Sequence, residues 1–404
     1  METAGHPVRL VVRDDLRRSR LTVLLRLVLA LPHLVWLSLW SISVLLAALA
    51  SSVAVVATGR TPDGLRRFLS AFVRYATHVN AYLFLAANRF PGFFGRPGYA
   101  VDVELSPPGK QSRLSAALRL FLGLPALAIA ALLGAATGQS AGGLIVLAAF
   151  LGWFVALALG RMPLGLRDLV VYAIGYAAQT LAYLLLLTPR YPDSHPDRLL
   201  PDAEAPRHPV RLRVEDGLRR SRLAVLFRPL LVFPHLAWLW LWSLPAAAAL
   251  LLAWLWTLAA GCSPRSLHRF LAAYVRCWSH VASFLFLVGG PFPGFAGRQG
   301  SYPVEIEIDP PARQRRLVTL FRLPLILPAL LIAGGLSGVV VVVGVFGWFA
   351  ALATGRMPAG LRSLGAAAIR YLTQTHAYGS LLTDRYPHAT PTIRTARTCT
   401  PEAP

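Results

Sequence analysis

Four stretches of the chain, 27 to 58, 120 to 159, 229 to 260 and 323 to 354, contain no Asp, Glu, Lys or Arg. Each is longer than the roughly 20 apolar residues that cross a bilayer, so a lipid-embedded fold is the first expectation. With 55% hydrophobic and 14% charged residues and a mean hydropathy of +0.55, the composition agrees. The second run is about twice the crossing length and is interrupted by GAATGQSAGG (134 to 143), which reads as the turn of a helix hairpin. Breaks at Pro245 and at GGLSG (334 to 338) suggest shorter or re-entrant pairs in the third and fourth runs. One long tilted helix per run is the alternative.

The runs belong to repeats. Arg18, Arg26, Pro32, His33, Arg74 and His78 recur 202 positions later as Arg220, Arg228, Pro234, His235, Arg276 and His280. Within each half a second doubling relates Ser19, Arg20 and Arg26 to Ser112, Arg113 and Arg119. The chain therefore divides into repeats 1–97, 98–194, 209–300 and 301–389, alternately odd and even in type, with a polar linker at 195–208 and a tail at 390–404 expected to be disordered. Every run ends in a related octapeptide: GRTPDGLR at 59, GRMPLGLR at 160, GCSPRSLH at 261 and GRMPAGLR at 355. Its Gly suits a helix C-terminus and its Pro the first position of the next helix, so it reads as a corner. Thr61 and Ser263 stand where an N-cap belongs, and Met162 and Met357 make a weaker cap in the even repeats.

Arginine brackets each run. The lead-ins RRSRLTVLLR (17 to 26), KQSRLSAALR (110 to 119), RRSRLAVLFR (219 to 228) and RQRRLVTLFR (313 to 322) carry Arg20, Arg26, Arg113, Arg119, Arg222, Arg228, Arg316 and Arg322. The corners carry Arg60, Arg66, Arg67, Arg161, Arg167, Arg356 and Arg362. These fifteen residues are the candidate lipid interface. Positive loops stay cytoplasmic, so charge at both ends of every run suggests that all four repeats share one orientation, with cytoplasmic termini. Arg26, Arg119, Arg228 and Arg322, inside the lead-in helix, can either snorkel to phosphate or pair within the protein. The residues before the first run include Asp14 and Asp15, so that run reads as an uncleaved insertion signal.

After each corner comes another helical segment. In 65 to 88 the polar and apolar residues fall on opposite faces, an amphipathic helix at the interface, whereas 169 to 187 is apolar nearly all round and long enough to span. Ahead of each lead-in is an alternating stretch: VRLVVR (8 to 13), VDVEL (101 to 105), VRLRVE (210 to 215) and VEIEI (304 to 308). Period two means half-buried strands. Their polar faces are basic in the odd repeats (Arg9, Arg13, Arg211, Arg213) and acidic in the even ones (Asp102, Glu104, Glu305, Glu307), which favours odd pairing with even. The expected fold is thus a mainly α membrane protein of four homologous units. Each unit has a membrane helix hairpin, an amphipathic interfacial helix and a short strand, the strands meeting in a small cytoplasmic sheet.

The succession YPVEIEIDPPARQRRL (302 to 317), apolar run, GWFAALATGRMPAGLR (347 to 362), RYLTQTHAYGSLLTDRYP (370 to 387) resembles bacterial membrane proteins of the domain of unknown function 4389 family. The resemblance extends over nearly the whole chain as repeated copies. It departs most in the third repeat, where Cys262 replaces the corner Arg and GGPFP the usual RYP. It implies a multi-pass membrane protein and supplies no activity, substrate or catalytic residue.

Catalytic patterns are missing from the sequence: there is no P-loop, GxSxG or HExxH, and the carboxylates are scattered. The expectation is no enzyme, no cofactor and no metal. Cys262, Cys277 and Cys399 form no CxxC and suit a reducing compartment. His33, His78, His235 and His280 show no ligand spacing, and hydrogen bonding is the expected role. The net charge of +22 lies at the membrane boundaries, which points to anionic lipid rather than nucleic acid. Two function classes follow. One is a non-catalytic scaffold or binding module whose basic cytoplasmic face meets anionic lipid or a protein partner. The other is a pseudo-symmetric transporter or channel, for which repeats are a hint but charge-free runs are not.

Overall fold

The computed structural model describes residues 5–106, 111–134 and 143–394. The chain forms two compact units, Met1–Asp202 and Ala203–Pro404, each holding one odd and one even repeat. The first unit runs β1 (Val8–Val12), α1 (Arg20–Thr58), α2 (Asp63–Leu83), β2 (Val101–Leu105), α3 (Arg113–Ala117), α4 (Arg119–Leu133), α5 (Leu144–Leu159), α6 (Leu164–Leu184) and α7 (Pro196–Leu199). The second runs β3 (Val210–Val214), α8 (Arg222–Ala260), α9 (Arg265–Leu285), β4 (Val304–Ile308), α10 (Arg316–Leu320), α11 (Arg322–Thr354) and α12 (Ala359–Gly379).

The hairpins expected in the first, third and fourth repeats are not formed. α1, α8 and α11 are continuous, and Pro245 and Gly334 lie inside helices. In an apolar medium a broken turn leaves backbone groups with no water to satisfy them, so one proline or glycine is absorbed rather than used as a stop. α1, α8 and α11 are long and apolar enough to cross a membrane. The second repeat alone is interrupted. Its eight extra residues, 135 to 142, carry most of the proposed turn and lie outside the described residues, as does the tail from 395 on. Their flanks touch, since a Cβ on Gly143 would come within 2.5 Å of Gly134 Cα. α4 and α5 therefore take the places of the two halves of α11, with the insertion set between them.

The long helices bury only one stripe. In α1 it comprises Val23, Arg26, Ala30, His33, Leu37, Val44, Ala47, Ser51 and Val55, at spacings of three, four and seven. Leu27 and Leu45 on the other face are 72% and 71% exposed. Contiguous apolar surface of this extent is a lipid-facing wall rather than a wet one. At the centre of each unit lie the paired second helices, α2 with α6 and α9 with α12. α2 and α9 are amphipathic, whereas α6 and α12 are buried on nearly all sides. The all-round apolar character of α6 thus reflects a protein core.

The strands form two separate antiparallel pairs, β1 with β2 and β3 with β4, in place of one shared sheet. Odd pairs with even as the charges suggested: Arg9 faces Glu104, Arg211 faces Glu307 and Arg213 faces Glu305. The second acidic position departs from that scheme. Glu307 takes Arg211 and Arg213 at 3.2 and 2.9 Å, while Glu305 turns to Arg276 of α9 at 3.1 Å. Asp102 likewise turns to Arg74 and His78 of α2, at 3.3 and 2.9 Å. One carboxylate per even strand ties the strand to its helix, and the other stands opposite a ladder arginine.

Candidate lipid interface

The repeated octapeptide is a reciprocal clasp. Its glycine closes the long helix in the left-handed region, with φ 74° at Gly59, 69° at Gly160, 75° at Gly261 and 70° at Gly355. Its carbonyl then accepts from the lead-in of the other repeat. Arg18 N–H donates to Gly160 O at 2.8 Å and Gln111 N–H to Gly59 O at 3.1 Å; Arg220 serves Gly355 and Gln314 serves Gly261, both at 2.8 Å. Each lead-in is thereby fixed beside the corner of its partner repeat. The capping scheme is shifted from expectation, because Pro62, Pro163, Pro264 and Pro358 are themselves the N-cap residues. Thr61 instead donates its hydroxyl to Leu186 O at 2.9 Å. Met162 is buried against Gly152, where a Cβ would meet its sulfur at 2.5 Å. The third corner position packs inward.

The inner arginines resolve their alternative inward. Arg26, Arg119, Arg228 and Arg322 are at most 3% exposed, with their guanidinium groups turned to partners within the protein. Nη1 of Arg26 donates to Tyr82 O and Ala87 O at 2.6 and 3.1 Å, and that of Arg228 to Phe284 O and Gly289 O at 2.6 and 3.1 Å. Nη1 of Arg322 serves Tyr378 O and Thr383 O, and that of Arg119 serves Thr188 O. The guanidinium carbon lies over the ring of Tyr82, Tyr183, Phe284 or Tyr378 at 4.6, 4.3, 4.2 and 4.5 Å respectively. These carbonyls close the second helix, where the helix dipole is negative. Cation, dipole and ring face act together, and the protein supplies what phosphate would have supplied.

Of the other eleven, Arg20, Arg60, Arg67, Arg113, Arg161, Arg222, Arg316 and Arg356 are exposed, and Arg66, Arg167 and Arg362 half-buried. Arg20, Arg222 and Arg316 each place Nη2 on a carbonyl at the end of a partner's long helix, Ala158, Ala353 and Ala259, at 2.8 to 3.0 Å. Sequence reading missed a further set, Arg18, Gln111, Arg220 and Gln314. Their side chains reach Leu85 O, Leu186 O, Leu287 O and Leu381 O, each leucine being left-handed with φ between 58° and 64°. The signal was present, since all four stand one residue before the aligned Ser19, Ser112, Ser221 and Arg315.

The histidines are internal. His33 Nδ1 meets Tyr75 Oη at 2.8 Å and its ring stacks on Phe93; His235 donates from Nε2 to Pro293 O at 2.9 Å and stacks on Phe295. His78 meets Asp102, and His280 lies 3.6 Å from Glu305. Burial lowers the pKa of His78 against the opposing pull of Asp102. Among the described residues no three His, Cys, Asp or Glu converge as a metal site, and Cys262 and Cys277 are unpaired. Cys399 lies outside the described residues. Burial raises the Cys277 thiol to about 11, away from nucleophilic use.

No curated protein and no solved structure matches the chain. The model of the domain of unknown function (DUF4389) matches residues 20–95, 113–194, 222–294 and 316–390. Those four segments coincide with the lead-in, long helix, corner and second helix of each repeat and cover most of the chain. The protein is a multi-pass membrane protein built from internal repeats, and it belongs to the DUF4389 family.

Proposed function

We propose that the protein is a non-catalytic membrane scaffold whose basic rim engages anionic lipid headgroups and presents the strand layer, on the cytoplasmic side, to a protein partner. The reading is carried by the division of the arginines. The inner four are buried against backbone carbonyls, and eight others remain exposed near the corners and lead-ins. Each basic residue near an anionic surface is worth about 1 kcal/mol, so the five exposed arginines of the first unit and the three of the second each give a selectivity that salt weakens.

The test is lipid selectivity of the full chain in nanodiscs containing spin-labelled phosphatidylglycerol and phosphatidylcholine. The wild type is expected to enrich the anionic lipid several-fold at low salt, and Arg20, Arg60, Arg113 and Arg161→Gln together to lower that enrichment. Equal selectivity in the two proteins would reject the rim. A second reading, a transporter, draws support from the reciprocal clasp, which sets two related repeats head to tail as inverted repeats are set.

A further inference from the structure

In the first unit a groove of about 630 Å³ lies between the start of α1, the end of α2 and the face of α5. Leu27 and Phe150 at its mouth are exposed on the apolar wall, while Val23, Leu85 and Ala149 beneath them are buried. The groove therefore opens toward lipid and closes toward the core.

Two departures from the repeat symmetry coincide there. The first is steric. Aligning GWFVALALGRMP (152 to 163) with GWFAALATGRMP (347 to 358) sets Gly344 in the place of Ala149. At Gly344 the ring of Phe286 lies so near that a Cβ would come within 2.7 Å of its Cδ1. The methyl group of Ala149 excludes that approach, and the equivalent ring, Phe84, lines the groove instead. The second is electrostatic. Nη2 of Arg228 donates to Gly290 O at 3.0 Å, that of Arg119 to Gln111 Oε1 at 2.7 Å and that of Arg322 to Gln314 Oε1 at 2.8 Å. Arg26 lines the groove and is 2% exposed, and its Nη2 and Nε have no acceptor. A buried cationic donor without a partner is unfavourable. Among the inner arginines, the one whose Nη2 lacks an acceptor is the one beside the groove.

We propose that this groove binds one anionic phospholipid, its phosphate on Arg26 and one acyl chain along Leu27, Phe84, Ala149 and Phe150. The mouth on the lipid wall makes the bilayer the source. Residues 14 to 26 hold four arginines against two aspartates, which favours an anionic headgroup. The volume lies within the roughly 300–1,000 Å³ of small-molecule sites. Nη2 is covered, so seating the phosphate requires the guanidinium to swing toward the groove that its stem lines. This goes beyond the rim, because it concerns a single lipid in a cavity made by the fold rather than headgroups gathered at the perimeter.

The test is native mass spectrometry of the full chain purified in detergent and titrated with phosphatidylglycerol or phosphatidylcholine. The wild type is expected to retain one phosphatidylglycerol through washing and to prefer it at least tenfold over phosphatidylcholine. Ala149→Leu and Val146→Phe fill the groove and leave Arg26 in place; each should weaken that binding at least tenfold. Arg26→Gln should abolish the preference, whereas Arg228→Gln, which removes the same fold contact in the second unit, should leave it. Undiminished binding in both groove-filling variants, or equal loss in Arg26→Gln and Arg228→Gln, overturns the site. A rim variant confined to Arg60, Arg113 and Arg161→Gln, which leaves residues 14 to 26 untouched, separates the proposals, since it should lower nanodisc selectivity and spare the single retained lipid.

Discussion

An arginine six residues beyond the start of a lead-in helix, at the edge of an apolar run, has two ways to keep its charge solvated, and Arg26, Arg119, Arg228 and Arg322 use the protein one. Sequence spacing could not decide this, because the acceptors lie 56 to 69 residues away, at the end of the second helix. Replacing Arg322 by Gln should lower stability by about 2–4 kcal/mol, since it strands buried carbonyls and removes a charge-assisted fork. Arg322→Lys should recover less than half, because an ammonium cannot serve Tyr378, Thr383 and Gln314 with one planar group. Thermal unfolding in detergent measures both, and a Lys variant as stable as wild type would show that charge alone suffices. A second residue-scale prediction concerns pH. Burial, with Arg370 nearby, pushes His208 and His388 down to about 4. The Nδ1 atoms accept N–H groups of Val210 and Thr390, at 3.0 and 3.4 Å, which needs them unprotonated. Unfolded histidine titrates near 6.5, so between that pH and about 4 the unfolded chain binds more protons and stability falls with falling pH. The contribution is full above pH 6.5. His208→Gln with His388→Gln should flatten the decline in that window; an unchanged pH profile would remove these two residues from it.

Elements were legible where one period or one charge pattern decided them. The four strands, their odd-with-even pairing and the four corners follow from alternation, opposite charge and the Gly-x-x-Pro spacing. The continuity of α1, α8 and α11 did not follow, because proline and glycine are stop signals in water and are tolerated where backbone groups have no other partner. The separation of the strands into two pairs is a matter of chain pairing, and four similar strands carry no label for it. The pairing makes a charge exchange testable. Arg211→Glu with Arg213→Glu should set three or four acids together and lower the melting temperature of the chain by about 2–4 °C, given exposed pairs worth up to about 1 kcal/mol. Adding Glu307→Arg should restore most of the loss, since Glu307 is the acceptor of both arginines. Adding Glu305→Arg should not, because Glu305 is held by Arg276. Rescue by Glu305→Arg alone would mean that strand-to-helix pairing is secondary to the ladder.

On the scale of the molecule the clasp decides what can be concluded about sidedness. Arg17 pairs with Arg161 in a backbone bridge, and Gln111 meets Gly59, so each lead-in shares a membrane face with the corner of its partner repeat. Whether the two clasps of a unit share that face is a separate matter, and the strand layer bears on it. β2 docks on Arg74 and His78, the middle of α2, while Phe68 and Phe72 of the same helix meet Trp40 of α1. A charged strand at the midpoint of α2 cannot sit at the centre of a bilayer, where each ionised group costs several kcal/mol. That favours an α2 lying along the interface with both clasps on one face, whereas a continuous α1 that crosses between Arg20 and Thr58 sets the two clasps on opposite faces, so the two arrangements exclude each other. Single cysteines at Arg60, Arg113, Arg161 and Arg20 in a background lacking Cys decide between them: if α1 stays on one face, all four should resist an impermeant thiol reagent applied to intact cells and react after permeabilisation. Labelling of Arg20 and Arg161 without Arg60 and Arg113, or the reverse, would set the two repeats of a unit in opposite senses. That outcome would remove the one-sided basic rim and make inverted-repeat transport the better reading, to be pursued by flux measurements in reconstituted vesicles.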